Sequence, residues 1–159
     1  MKFLLTVMLV LVISYAFSLY PTSAKNEVPY PDGFRYWAHV KTAIIKSKKV
    51  QQHGFHHIYA NGLAIKGYKE GKFQEGSIIV FDVLQDTVDV NGDVIEGARR
   101  MTDVMIKSHE HDSTGGWGFE EFKGDSKLER AVMSSSVKKC FNCHSKRKSS
   151  DFVFSSFRN

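Results

Sequence analysis

The strongest constraint on this 159-residue chain is the segment CFNCH near its C-terminus, which contains both of its cysteines. Cys140 and Cys143 are separated by two residues, and His144 follows at once. A disulfide between these cysteines would close so small a loop that it would remove little entropy from the unfolded chain. A structural zinc site needs four ligands, and no third cysteine is present. The pair therefore favours neither a disulfide staple nor a zinc site.

The residues before the motif predict a helix that is already under way at Cys140. Ser126 can cap this helix, and Glu129 three residues later completes a capping box. The residues that then follow at helical spacing are Leu128, Ala131, Val132 and Ser135. A redox-active Cys-X-X-Cys pair would instead be expected beside a strand–helix–strand unit.

On a helix the two thiols and the imidazole share one face, because they stand at positions i, i+3 and i+4. Cys-X-X-Cys-His is the signature of covalent haem attachment, in which two thiols hold the porphyrin and the histidine reaches the iron. The sequence therefore predicts one c-type haem per chain, bound through Cys140 and Cys143, with His144 as the iron ligand.

The first 24 residues have the layout of a secretory signal peptide. Lys2 precedes an apolar block over residues 3–19, and small residues follow at positions 22–24. An uncleaved anchor is the alternative, because the block approaches the roughly 20 apolar residues that span a bilayer. Pro21 and the serines within the block favour cleavage after Ala24. We expect a periplasmic protein with no membrane span after cleavage and a single haem-binding domain over residues 25–159.

The charge of the predicted domain is mildly positive. Without Lys2, 21 of the 22 basic residues remain beside 17 acidic ones. The basic residues are spread out apart from runs at 46–49 and 146–148, which we interpret as solvated surface. This distribution does not indicate a nucleic-acid interface.

Much of the chain before the haem motif favours β-structure. Residues 77–90 are rich in β-branched side chains, and Asn91-Gly92 is a strong hairpin signal. Further strands are predicted at 37–46, 56–60 and 98–107 and after Gly115, where Trp117 and Phe119 share a face. A short helix is predicted over 61–71. The predicted fold is α+β and β-dominated, an antiparallel sheet with a few short helices, the C-terminal one carrying the c-type haem.

Six segments occur in a fixed order between about Tyr30 and Arg158, namely YPDGFRYWAHVK, HHIYAN, GYKEGKFQEGSIIVFD, GGWGFEEFKGD, CFNCH and DFVFSSFR. In this order they resemble the cytochrome c′-beta proteins, relatives of the hydroxylamine-oxidising cytochromes called P-460. The resemblance implies a β-rich haem domain, usually a homodimer, with His144 as the proximal ligand of an iron that is five-coordinate at rest.

The same resemblance gives Phe81 a role. In the hydroxylamine-oxidising branch, a lysine at this strand position forms an extra covalent link to the porphyrin. Phe81 cannot form that link, and the c′-beta branch instead implies an aromatic cap over the open iron face, with Phe55 as its second ring. From the residues alone, Phe81 is equally explained by core packing. An aromatic cap without a hydrogen-bond donor implies nitric oxide and carbon monoxide as ligands.

Two other functions remain open at this stage. An electron carrier with six-coordinate iron needs a sixth ligand, for which the candidates are His39, His53, His56, His57, His109, His111, Met101, Met105 and Met133. A hydroxylamine oxidase would need a lysine near the porphyrin, such as Lys66, Lys69 or Lys72. A redox partner protein is compatible with each function, and the sequence assigns no catalytic residue.

Overall fold

The computed structural model describes residues 27–132 and 136–158. Five antiparallel strands form one sheet in the order of the chain, and the last α-helix lies at the C-terminal end, so the β-dominated α+β fold is confirmed. Within the described residues, no helix has the length and apolar character needed to cross a membrane. The expected signal peptide at 1–24 lies outside the described residues. The strands are β1 (Ala38–Ile45), β2 (Gly54–Ala60), β3 (Ile78–Val88), β4 (Val94–Lys107) and β5 (Trp117–Lys123).

In the described part of the chain, two α-helices and three short 3₁₀ helices accompany the sheet. Asn61 caps the first α-helix, since its side-chain oxygen accepts a hydrogen bond from the Ala64 amide at 2.9 Å. Gly71 ends this helix in the left-handed conformation, with φ of 74°. The α-helices are α1 (Gly62–Glu70) and α2 (Val137–His144), and the 3₁₀ helices cover Phe34–Tyr36, His109–Thr114 and Ser145–Ser150.

The β3–β4 hairpin turns at the predicted Asn91-Gly92 pair. One carboxylate oxygen of Asp89 accepts hydrogen bonds from the amides of Asn91 and Asp93, both at 2.9 Å. Gly92 has φ of 87°, which a residue with a side chain rarely adopts. The turn signal in the sequence therefore placed the hairpin correctly.

The predicted helix beginning at Ser126 is wrong. The Ser126 hydroxyl does accept hydrogen bonds from the amides of Leu128 and Glu129, but the chain then runs in extended form beside β5. The Ala131 amide donates to the carbonyl of Glu121 at 2.8 Å, so backbone pairing with the sheet satisfies this segment. The helix that carries the cysteines begins only at Val137.

The sheet is covered on both faces. One face packs against α1 and α2 in a core that includes Phe73, Trp117 and Phe119. The other face is covered by the segment before β1, and there a fully buried carboxylate, Asp82, pairs with Arg99 at 2.6 Å. The two α-helices therefore cover one face of the sheet, and the Asp82 ion pair lies on the opposite face.

Candidate haem site

A cavity of about 820 Å³ lies between the sheet and α2. One residue from each strand, at directly paired positions, forms a row across its wall. From β1 to β5, the row reads Lys41, Ile58, Phe81, Asp103 and Glu121. The volume lies near the upper end of the range for small-molecule pockets, which suits a large planar cofactor. The wall changes from a cation through apolar residues to a pair of acids.

The three residues of the CFNCH motif meet at the opposite wall of this cavity. Cys140, Cys143 and His144 all line it, and both cysteines are free thiols. Burial raises the pKa of the Cys140 thiol, and the nearby Asp103 raises it further. Cys143 is solvent-exposed, so the motif runs from the interior to the cavity rim. The spacing that the sequence predicted therefore brings all three groups to one space.

His144 is oriented for metal binding through a single nitrogen. Its Nδ1 lies 2.7 Å from the carbonyl oxygen of Phe152, which can only accept a hydrogen bond, so Nδ1 carries the proton. The lone pair is then on Nε2, the arrangement typical of an imidazole that ligates iron. Burial lowers the pKa of His144, although the hydrogen bond to this carbonyl acts in the opposite direction. The lowered pKa favours the neutral ring. The rings of Phe119 and Phe154 flank it at 4.9 and 5.0 Å.

The carbonyl that orients His144 belongs to a strained turn. Asp151 and Phe152 have φ of 49° and 66°, and they are the only two non-glycine residues with positive φ in the described part of the chain. Such residues cost roughly 1–3 kcal/mol each and persist where the surroundings hold them. Asp151 is held from three sides, because its carboxylate accepts from Lys107 Nζ at 2.7 Å and from the Phe73 amide, and its carbonyl accepts from Trp117 Nε1.

The aromatic residues assigned from the family resemblance separate in the structure. Phe81 lines the cavity, as expected for a cap. Phe55 is absent from the lining, because successive side chains of β2 alternate and His56 and Ile58 face the cavity. The ring beside Phe81 is therefore His56, at a centroid distance of 4.4 Å. Sequence reasoning considered His56 only as a candidate sixth ligand and missed its position beside Phe81.

Asp103 is the second residue of the site that sequence reasoning missed. One carboxylate oxygen, Oδ1, is buried and has no hydrogen-bond partner among the described residues. Burial raises the pKa of Asp103 to about 8, and the charge of Glu121 contributes. The carboxyl is therefore mainly protonated at neutral pH and can donate a hydrogen bond into the cavity. The available signal was its position between Met101 and Met105, which places an acid on an apolar face of β4.

Most of the proposed sixth ligands lie away from the cavity. His39 and His57 bond to Thr42 on the other face of the sheet, both at 2.9 Å. His53 interacts with Arg100, His109 pairs with Glu75, and His111 packs over Gly118. Met133 lies outside the described residues. Met101 is buried but does not line the cavity, whereas His56 and Met105 do.

The lysines considered for a porphyrin link are also placed elsewhere. Lys66, Lys69 and Lys72 belong to α1 and the turn after it and do not line the cavity. The lining lysines are Lys41, at the end of the wall row, and Lys139, beside the motif on α2. Their charges can pair with the carboxylates that a haem carries.

An antiparallel sheet that closes a large cavity against a Cys-X-X-Cys-His helix, with the histidine held in the ligating tautomer, defines a haem-binding protein. The comparison with known families agrees, because the sequence model described as Cytochrome P460 matches residues 31–155. The chain belongs to the cytochrome P460 family, and this membership implies a haem cofactor. No curated protein matches the chain. The donor set fits that cofactor, with thiols to attach it, Nε2 of His144 to ligate its iron, and apolar side chains such as Ile58, Phe81 and Phe119 in the lining.

Proposed function

We propose that this chain is an exported c-type haem protein that binds small diatomic gases, chiefly nitric oxide, on five-coordinate iron. The observation that carries the proposal is the position of Phe81 at the centre of the cavity wall, where a cross-linking lysine would be needed for hydroxylamine oxidation. Nitric oxide binding, scavenging or storage suits this apolar wall, and carbon monoxide is a further ligand of ferrous iron.

Two cavity-lining residues could otherwise supply a sixth ligand, and their contacts argue against it. Nε2 of His56 donates to the carbonyl of Gln52, and the Phe81 ring packs against the imidazole. Met105 packs in the hydrophobic core with Phe119 and Ile79. These contacts support an iron with one open position.

Asp103 changes the expected chemistry of the pocket. The aromatic cap was expected to offer no hydrogen bond, but a protonated carboxyl stands directly beside Phe81 in the wall row. A gas bound near this wall therefore meets a ring and one O–H donor. Asp103 also supports a second candidate function, oxidation of hydroxylamine, because the ionised form of a carboxyl whose pKa is raised to about 8 can accept a proton from such a substrate. Phe81 argues against this candidate, since it cannot form the family's porphyrin link.

One set of measurements on the purified protein tests attachment, export and the choice of function. Intact mass after denaturation should equal residues 25–159 plus one haem, because Cys140 and Cys143 are both consumed and the leader is removed. Ferric and ferrous spectra should be high-spin with an ordinary c-type Soret band, and nitric oxide should shift that band. Haem extractable by acidified solvent would refute covalent attachment. A low-spin resting spectrum would favour the electron carrier, and a strongly red-shifted Soret band would favour the cross-linked oxidase.

We also propose that the chain forms a homodimer. The strand ends around the β3–β4 hairpin leave Val88, Val94 and Ile95 exposed, at 68%, 51% and 44% of their surface. Neighbouring exposed apolar side chains of this kind are typical of protein interfaces. Light scattering should give twice the chain mass, and Val94→Lys with Ile95→Lys should give the single-chain mass if the hairpin forms the contact. A single-chain mass for the parent protein would refute the dimer.

A further inference from the structure

Five basic side chains surround the haem-attachment motif, and we call them the basic patch. They lie on α2 and the 3₁₀ helix that follows, and all five are exposed. The sequence has no acidic residue from 137 to 150. Asp151 comes next, but its carboxylate turns inward to Lys107 at 2.7 Å. The patch consists of Lys138, Lys139, Lys146, Arg147 and Lys148.

The basic patch accounts for the positive charge of the exported chain. Residues 25–159 carry 21 basic and 17 acidic side chains, and removing the patch leaves 16 basic residues against the same 17 acids. Within the part of the chain that the structure describes, no ion pair involves any of the five. The molecule is therefore electrically asymmetric, with a strongly positive region around the attachment motif.

This positive region is centred on the attachment site. Lys139 and Cys143 are four residues apart on α2, so they are neighbours on the helix surface, and both line the cavity. Lys146 follows three residues after Cys143, and Cys143 is itself exposed. A cofactor bonded to the Cys143 sulfur thus begins at the protein surface within the basic patch.

We propose that the basic patch is the docking surface for an acidic redox protein, which exchanges one electron with the cofactor at the exposed Cys143 edge. One of the two proteins loses the electron that the other gains, and no atom is transferred. This proposal rests on the proposed function, since it needs an attached haem. Complementary charge would orient the partner and raise the rate of encounter, an effect that falls as salt concentration rises.

An anionic membrane is the other surface that five cations could contact, but the patch lacks what a bilayer requires. The exposed residues beside its cations include the polar Asn142, Ser145 and Ser149. Phe141 is half-buried and packs on Phe152 at 5.4 Å. Phe154 is half exposed, but the Arg147 guanidinium lies 5.0 Å from its ring. Interfacial helices instead present an apolar face beside their cations.

The test compares small redox reagents of opposite charge. Ferrous protein is oxidised in an anaerobic stopped-flow instrument by ferricyanide and by tris(phenanthroline)cobalt(III). For the parent, the rate of reaction with ferricyanide should fall as the salt concentration rises. The rate with the cobalt complex should instead increase as the salt concentration rises. The patch variant combines Lys138→Glu, Lys146→Glu and Lys148→Glu. Its reaction with ferricyanide should be at least about tenfold slower than the parent's at low salt, and both salt dependences should be inverted.

A control variant separates local from net charge. Lys66→Glu with Lys69→Glu and Lys72→Glu makes the same charge change on and after α1, away from the cavity lining. This α1 variant should keep most of the difference that the parent shows between its rates with the two reagents. Equal effects of the two triple variants would overturn the proposal, because only net charge would then matter.

Binding measurements identify the partner class without using the iron. Calorimetry at low salt should show that polyglutamate binds the parent and the α1 variant but not the patch variant. If the parent binds phosphatidylglycerol vesicles as tightly as polyglutamate, the proposal of a protein partner is overturned in favour of a membrane surface. If the parent protein carries attached haem but neither binds polyglutamate nor discriminates between the two redox reagents, the docking proposal is refuted and the proposed function is not. A protein that carries no haem would refute the proposed function, and the polyglutamate arm would still report on the patch.

Discussion

Phe81→Ala should speed the association of nitric oxide and carbon monoxide with the haem by about tenfold or more, while leaving the haem attached. The ring lines the cavity at the centre of its sheet wall, and His56 lies against it at 4.4 Å. Removing the ring opens that wall, and a barrier lowered by about 1.4 kcal/mol already gives a tenfold rate. Flash photolysis of the carbon monoxide complex measures the rate directly. The ferric spectrum should also report water entering beside the iron.

Phe55→Ala is the matched control for this experiment. This substitution also removes a phenyl ring, but the Phe55 side chain belongs to β2 and points to the face of the sheet opposite His56 and the cavity. Gas association should therefore match the parent. If the two alanine variants had equal rates, Phe81 would not limit access to the iron, and the assignment to the aromatic-capped branch would lose its support.

Asp103→Asn should make the free energy of unfolding much less dependent on pH. Burial raises the folded-state pKa of Asp103 to about 8, whereas the ordinary value is 3.8. Between these values the folded chain keeps a proton that the unfolded chain releases, so the parent loses stability as pH rises through this window. Asparagine has no proton to release. As pH rises, the free energy of unfolding of the variant should therefore increase relative to that of the parent by up to about 1.4 kcal/mol for each pH unit.

Urea unfolding of both haem-loaded proteins between pH 5 and pH 8.5 measures this difference. Asp89→Asn provides a control of opposite sign, because amide donors in the β3–β4 turn lower the pKa of Asp89. Its stabilising effect is fully present above the ordinary pKa of 3.8, so the difference between Asp89→Asn and the parent should be constant across this range. Parallel pH profiles for the parent and Asp103→Asn would show that Asp103 is ionised and paired when the haem is bound.

The features that the sequence predicted well are those specified by short segments. The spacing of Cys140, Cys143 and His144 specified one helical face, and Asn91-Gly92 specified a turn. The failed helix at Ser126 shows the limit of such local signals. The hydroxyl made the expected bonds to the Leu128 and Glu129 amides, but pairing with β5 decided the conformation of the segment.

The cavity wall could not be predicted to the same accuracy, because it depends on how strands pair. Phe55 was expected at the cavity, but His56 lines it, and a shift of one residue along a strand reverses the face of the sheet. Asp103 was missed because its significance depends on its neighbours in the row, Phe81 and Glu121, which come from other strands. Each strand could be found in the sequence, but the alignment of five strands could not.

The turn at Asp151 and Phe152 implies an order in the maturation of the protein. Cys140 and Cys143 belong to one short helix, so their relative position does not depend on the sheet. The orientation of His144 does require it, because the Phe152 carbonyl is held through Asp151 by Lys107 of β4 and Trp117 of β5. Haem attachment through these thiols, as proposed above, would therefore not need the folded sheet, whereas the hydrogen bond that orients His144 can form only after β5 has joined the sheet.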